Sequence, residues 1–484
     1  MRFSLFPLLK IISSSAVPLV YGRVSVVGRE QLPKGGLLVV AGPHCNHMMD
    51  SVMMAYALGR QDVFFLAYST LYEGALVAPI LKRVRSPLLQ ARLKRIEDVL
   101  RLSFLRSLNL IPINRAKDGR DSARDRAENL ALLEEAARRV VAGAVVVIYP
   151  DGGSPGGYSL DKVQAGAAQL ALDIARFTAE SSQRHPSPAL VCAGLSYSGF
   201  LEPFGSQVVV SFGAVTPIAQ LPASPSRPEA RKWRKTLTES FEQWLRKLAV
   251  IAPINDSTRI EQITGVLMGL DMNDINRVRL ASRVVEQAYR LPDAQRIDLF
   301  NRLDRHFDAL QSGWALPGRI APGVSEAVQK DGAIETSTSN GFKPRSVWRS
   351  PLMAASMVGL VYLGIVLNSV PLAILAKRTA KMPEFLWLRG QQFFGSAVSV
   401  FGAWYATLLL TSGIVAGLAP GLLVPFLMGT VLSAVLGYVA SRRYLWANAR
   451  LFRFLEPDRF AAVEAEGEEL VTSVLLLAAE REQG

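Results

Sequence analysis

The chain holds four histidines, and two of them fall in the run AGPHCNHMMD at residues 41–50. His44 and Asp50 can meet across a turn. A carboxylate that holds one imidazole nitrogen as a donor leaves the other free to take a proton from a substrate hydroxyl near neutral pH. That is general-base chemistry, and it requires no nucleophilic Ser or Cys. His47 and Asp50 form an i,i+3 pair that serves the same chemistry on one helix face, and Asn46 suits a helix cap. A satisfied structural pair fits the same spacing. A metal site would need more ligands than this run supplies, so none is expected. Two further polar islands follow apolar runs. In LNLIPINRAKD at 108–118, Arg115 can offer a bidentate fork to a phosphate. In IYPDGGSPGG at 148–157, Asp151 precedes Gly152 and Gly153, a turn whose backbone can approach an anion closely. Taken singly, these are equally a surface ion pair and a tight turn; as three islands at strand ends they reinforce one another.

The elements that must position these groups alternate strand-like and helical runs over residues 22–217, the pattern of an α/β domain rather than a solenoid or an all-β sandwich. GGLLVVAG at 35–42 predicts a short apolar strand that delivers the first island. An amphipathic helix over about 121–139 leads into a second strand in VVAGAVVVIYP at 140–150. VCAGLSY at 191–197 and SQVVVSFGAV at 206–215 read as buried strands, β-branched and bounded by Gly and Pro. From 218 to about 315 the pattern is helical, with Arg231, Lys232, Arg234 and Lys235 around Trp233. Residues 316–345 have the Gly, Ser, Thr and Pro content of a linker. No internal repeat and no G-x-x-x-x-G-K-[ST] loop is present in the sequence.

At 484 residues the chain can hold several domains, and its 50% hydrophobic content with a mean hydropathy of +0.21 excludes global disorder. Lys and Arg outnumber Asp and Glu by 54 to 41, a formal +13. Such a surplus suits either nucleic acid or an anionic membrane face. The cluster Lys82, Arg83, Arg85, Arg92, Lys94, Arg95, Arg101 and Arg106 is interleaved with Leu, Ile and Phe at helical spacing, which favours an anionic lipid bilayer over nucleic acid. Cys45 and Cys192 allow at most one bridge and no Cys-rich metal framework. Residues 1–21 read as an amphipathic or interfacial segment without a clean cleavage site. The apolar runs 352–376, interrupted by Asn368 and Pro371, and 393–440, with a turn near Gly417 to Gly421, predict one broken or re-entrant segment and a transmembrane helical hairpin. The flanking Arg389, Arg442 and Arg443 then put the protein in a membrane with its remaining mass on the cytoplasmic side.

The ordered motifs resemble those of the phospholipid and glycerol acyltransferases, the PlsC-like family that moves a fatty acyl chain from acyl-CoA or acyl carrier protein onto glycerol phosphates. The family's first block is a His and an Asp with four residues between them. GPHCNHMMD has five, a variant similar to the fungal-type glycerol-3-phosphate or dihydroxyacetone-phosphate acyltransferases. IPINRAKD resembles the second block, and YPDGGS the third, usually Phe-Pro-Glu-Gly, with Asp151 where the family has Glu. DKVQAGAAQLAL at 161–172 resembles its Lys-x-x-x-Gly-Ala-Ala segment, and VCAGLSY its fourth block. The resemblance implies an acyltransferase domain with a mixed central sheet and flanking helices over 22–220. A helical extension (221–315), a linker (316–350), a membrane domain (351–442) and a C-terminal helical tail (443–484) would follow.

It implies His44 and Asp50 as the catalytic pair. Arg115 and Lys162 would hold a phosphate and Asp151 the glycerol part, and Gly152, Gly153 or the His44 backbone would steady the oxyanion. The implied substrates are a glycerol phosphate and an acyl thioester, with no bound cofactor. The implied reaction is 1-O-acylation of glycerol 3-phosphate or dihydroxyacetone phosphate by a membrane-bound enzyme. Acylation of 1-acyl-glycerol 3-phosphate and a non-catalytic membrane lipid-binding scaffold stand as alternatives.

Overall fold

A computed structural model describes the continuous stretches 23–45, 48–68, 105–114, 123–151, 158–160, 163–181, 187–197, 207–253, 256–267, 274–312, 365–379, 427–436 and 456–479. It also describes short pieces and single residues between 6 and 21, 90 and 103, 356 and 363, and 400 and 424. The centre is an eight-stranded mixed sheet. Its strands are β1 (Arg23–Val27), β2 (Leu37–Gly42), β3 (Val63–Tyr68), β4 (Leu110–Ile113), β5 (Val145–Ile148), β6 (Ala189–Tyr197), β7 (Gln207–Phe212) and β8 (Thr216–Pro217). They are ordered β1-β7-β6-β2-β5-β3-β4, with β8 on β6. From β6 through β4 the neighbours run parallel, so their carboxyl ends share one edge of the sheet, whereas β7 meets β6 antiparallel. Every residue of β2, β5 and β6 is buried. That is why LLVVAG, VVVI and ALVCAGLSY are continuous apolar runs rather than alternating ones: both faces are covered.

The pleat divides these strands between two cores. Leu37, Val39, Ala41, Val145, Val147, Val191 and Leu195 face one layer, where α1 (Met48–Leu58), α5 (Ser257–Leu267), α6 (Asp274–Ala288), α7 (Asp293–Ser312) and α9 (Pro457–Ala479) contribute buried residues. Leu38, Val40, Val146, Ile148 and Leu190 face α2 (Ala123–Val141), α3 (Gly166–Glu180) and α4 (Arg227–Leu248). Cys45 and Cys192 belong to opposite layers; both are free and buried, so no bridge joins them. Phe6, Val17 and Tyr21 are buried in the first layer, so this part of the N-terminal segment packs onto the domain. Gly194 in β6 lets the C-terminal end of α4 close on the sheet, because a Cβ there would lie 2.2 Å from the Leu248 carbonyl oxygen. At the opposite edge, Arg60 ties the approaches to β2 and β5 together by donating to the carbonyls of Pro33, Gly35 and Gly143 and to Asp62.

The expected C-terminal transmembrane helices are overturned. Among the described residues no helix is long and apolar enough to cross a membrane. α8 (Ser369–Thr379) has 11 residues, about 16 Å at 1.5 Å per residue and roughly half of a hydrocarbon layer, and it ends in Lys377 and Arg378. Its start is tied by polar bonds: Asn368 donates to the Ser433 carbonyl, and the Tyr405 hydroxyl donates to Asn368. α9 is long enough, but Glu464, Glu466, Glu468 and Glu469 interrupt it. A hydropathy run in the sequence measures composition, whereas a span also needs one uninterrupted helix. With the spans fall the membrane-bound enzyme and the integral membrane localisation read from them, and the anionic bilayer expected as partner from the basic surplus is left without a spanning helix among the described residues. Much of the expected hairpin, and the basic cluster from Lys82 to Arg101, lies outside the described residues. The basic residues of α4 that are described include exposed i,i+4 partners of acids, Lys235 with Glu239 and Arg246 with Glu242.

One buried group gives the fold an acid-sensitive point. His306 in α7 is 1% exposed, its ring meets Phe307 edge-on, and among the described residues neither ring nitrogen has a hydrogen-bond partner. Burial pulls its imidazole down from 6.5 to about 4. The unfolded chain therefore takes up a proton that the folded chain refuses between those two values. The contribution of His306 is intact above pH 6.5 and is lost as pH falls towards 4, by at most about 3 kcal/mol. Replacing His306 with Leu is expected to raise stability and flatten its fall over that window, read by urea unfolding at pH 7 and 4.5; an equal fall in the variant would refute it.

Candidate active site

The described parts of the three polar islands, with His44 and Asp50 after β2, Asn114 after β4 and Asp151 after β5, lie beyond the carboxyl ends of these strands, on the shared edge where parallel α/β sheets expose their loops. β2 ends at Gly42; Pro43 and His44 follow, and α1 begins at Met48 and brings Asp50 back beneath the turn. His44 Nδ1 lies 2.8 Å from Asp50 Oδ2. The Asp50 carboxylate is fully buried, while the His44 side chain keeps 14% of its surface open. The second oxygen, Oδ1, accepts a 2.6 Å hydrogen bond from the Tyr197 hydroxyl at the end of β6. With Oδ1 already accepting from Tyr197, Oδ2 is placed to accept as well; in the tautomer that puts the hydrogen on Nδ1, Nε2 presents its lone pair away from Asp50.

The loop after β5 completes the frame. The Tyr149 ring stacks on the His44 imidazole, centroids 4.0 Å apart and planes 14° from parallel, which fixes the ring plane and presents a π face to an imidazolium. Asp151, 5% exposed, accepts the backbone N–H of His44 on Oδ2 at 3.1 Å. That bond cross-links the exits of β5 and β2, and it engages the His44 N–H expected as an oxyanion donor. Behind the pair, the buried Tyr158 hydroxyl donates to the Tyr197 carbonyl at 2.7 Å, and the Tyr21 ring lies 6.3 Å from that of Tyr197. Burial, with the Asp50 charge adding to it, pushes the Tyr197, Tyr149 and Tyr21 phenols up, so they stay protonated.

Of the expected site residues, the structure brings His44, Asp50 and Asp151 together. Arg115, Gly152, Gly153 and Lys162 lie outside the described residues, as do Asn46 and His47. The chain that leads to Arg115 is pinned: the Asn114 N–H donates to Asn129 of α2, and the Asn129 amide donates back to the Asn114 carbonyl. Motif and spacing in the sequence assign no role to Tyr149, Tyr158 or Tyr197. The available signal was a Tyr at the carboxyl end of two buried strand runs, β5 and β6. Among the described residues, no group of three or more His, Cys, Asp or Glu is disposed to hold a metal ion.

Residues 23–183 match the family model described as Acyltransferase. No curated protein matches the chain. Among solved structures, one similar chain is the 1-acyl-sn-glycerophosphate (LPA) acyltransferase PlsC from Thermotoga maritima. It is 16% identical over 49% of this chain and 79% of its own, with a TM-score of 0.28. The matched segment is about a third of the chain and carries the His44–Asp50 pair and Asp151.

Proposed function

We propose that this chain is an O-acyltransferase that moves an acyl group from a thioester onto a free hydroxyl of a glycerol phosphate, with His44 as the base. The observation that carries the reading is the 2.8 Å His44–Asp50 contact on the open edge of the sheet, inside the segment that matches the acyltransferase model. His44 Nε2 takes the hydroxyl proton as the oxygen attacks the thioester carbonyl. The tetrahedral intermediate collapses with cleavage of the C–S bond, and the departing sulfur takes the proton from the imidazolium. Ester and free thiol result, with no acyl-enzyme. Arg115 and Lys162 serve the acceptor phosphate, and the Gly152–Gly153 turn serves the oxyanion. The donor is acyl-CoA or acyl carrier protein.

For the acceptor we put 1-acyl-glycerol 3-phosphate ahead of glycerol 3-phosphate and dihydroxyacetone phosphate. The case for the latter two rests on the five-residue spacing of the His and Asp. The 2.8 Å His44–Asp50 contact forms with five residues between the two groups, so that spacing serves the base whichever of the three acceptors is bound. The test offers the purified full chain each of the three acceptors with one acyl-CoA and, separately, the matching acyl carrier protein. The expected outcome is transfer to 1-acyl-glycerol 3-phosphate at the highest kcat/KM. Preference for glycerol 3-phosphate would reverse the order, and a folded protein that acylates none of them with either donor would overturn the reading.

A further inference from the structure

We infer that Tyr197 is a positioning residue that sets both the orientation and the basicity of His44 through Asp50. This rests on the reading of His44 as the base. β6 places apolar residues in the first core layer at every second position, Ala189, Val191, Ala193 and Leu195, and the next position in that register is Tyr197. A phenol there is fully buried, and its hydroxyl is aimed at Asp50 Oδ1 at 2.6 Å while Oδ2 faces His44. The two bonds hold the carboxylate from both sides. They also divide its charge: a donor on Oδ1 draws negative charge away from Oδ2 and so weakens the pull of Oδ2 on an imidazolium. Tyr197 therefore keeps His44 neutral, and able to accept a proton, to lower pH than an Asp50–His44 pair alone would allow.

Two readouts test this, one of them independent of turnover. With four histidines in the chain, the His44 imidazole can be assigned by NMR from single His→Gln variants and titrated. In Tyr197→Phe its pKa is expected to rise by about 0.5 to 1 unit, since losing one hydrogen bond to the carboxylate shifts the pair by that order. The acid limb of kcat/KM should move up by the same amount, and kcat should fall about tenfold with KM nearly unchanged. Tyr158→Phe removes a phenol from the same buried cluster without touching Asp50 and should leave the His44 titration in place. Replacing Tyr197 by 3-fluorotyrosine, a stronger donor of nearly the same shape, should move the His44 pKa down. It also serves as the test if the phenylalanine variant fails to fold. An unmoved or lowered His44 pKa in Tyr197→Phe, or an equal rise in Tyr158→Phe, would overturn the inference. A shifted imidazole with an unshifted acid limb would leave Tyr197 in its role and remove His44 as the base.

Discussion

Asp50→Asn is expected to lower kcat by about 10³- to 10⁴-fold with the protein still folded, the largest effect of any single isosteric change in the chain. The loss is one of hydrogen placement. In the native site both carboxylate oxygens accept, Oδ1 from Tyr197 and Oδ2 from His44. Tyr197 holds the acceptor side of a carboxamide at Oδ1, so the amide nitrogen takes the position of Oδ2 and points its own hydrogens at His44 Nδ1. The imidazole answers by moving its hydrogen to Nε2, the atom that must be bare to accept a proton from the substrate. Shape, burial and neighbours are unchanged, so the KM values should stay within about threefold. His44→Ala removes the base outright and is expected to cost about as much. The double variant should be no worse than either single one, because both changes disable the same unit. The measurement is single-turnover acyl transfer by the purified variants beside their thermal unfolding. Retention of a tenth of native kcat in folded Asp50→Asn would refute the assigned tautomer.

The parts of this arrangement differ in how plainly the sequence shows them, and the reasons are physical. β2, β5, β6 and β7 stand out as strands because a strand covered on both faces must be continuously apolar, and little else in the chain is both so apolar and so β-branched. The His44–Asp50 contact is legible because both groups sit on one short turn. Tyr197, by contrast, is 147 residues from Asp50. Only the parallel pairing of β2 with β6, Gly42 beside Gly194, brings their carboxyl ends together, and no local pattern encodes that register. Asp151 is visible as a polar residue after a strand, but its hydrogen bond to a backbone N–H across the sheet edge is invisible to any reading of side-chain types. The C-terminal half misleads for the converse reason. Composition sees apolar residues in 352–376 without seeing that Asn368, at a turn before the helix Ser369–Thr379, is bonded to Ser433 and Tyr405.

Asp151→Ala is expected to lower kcat by about 10²-fold while the KM for the acceptor changes little, and that split separates two roles for this carboxylate. The family resemblance assigns it to the glycerol part of the substrate, in which case its loss should raise KM along with lowering kcat. In the structure its Oδ2 instead accepts the His44 backbone N–H, 107 residues away, and so holds the turn that carries the base against the loop that carries Tyr149. Removing the acceptor takes the partner Oδ2 away from a partly buried N–H, which costs on the order of 1–3 kcal/mol of stability. It also frees the His44 turn to move, and a displacement near 1 Å at a reacting atom is worth about 10²-fold in rate. Asp151→Asn keeps an oxygen in the same place and should retain kcat within about fivefold. Asp151→Glu should behave worse than Asn, although Glu is the residue the related motif carries. The position is 5% exposed, and an added methylene must push either the loop after β5 or the His44 turn outwards. If Glu proves neutral while Asn raises the acceptor KM, the carboxylate reaches substrate and the cross-link is incidental. If Asn is the milder change, the shorter residue is explained by the short distance between two strand exits, a constraint set by the pairing of β2 with β5.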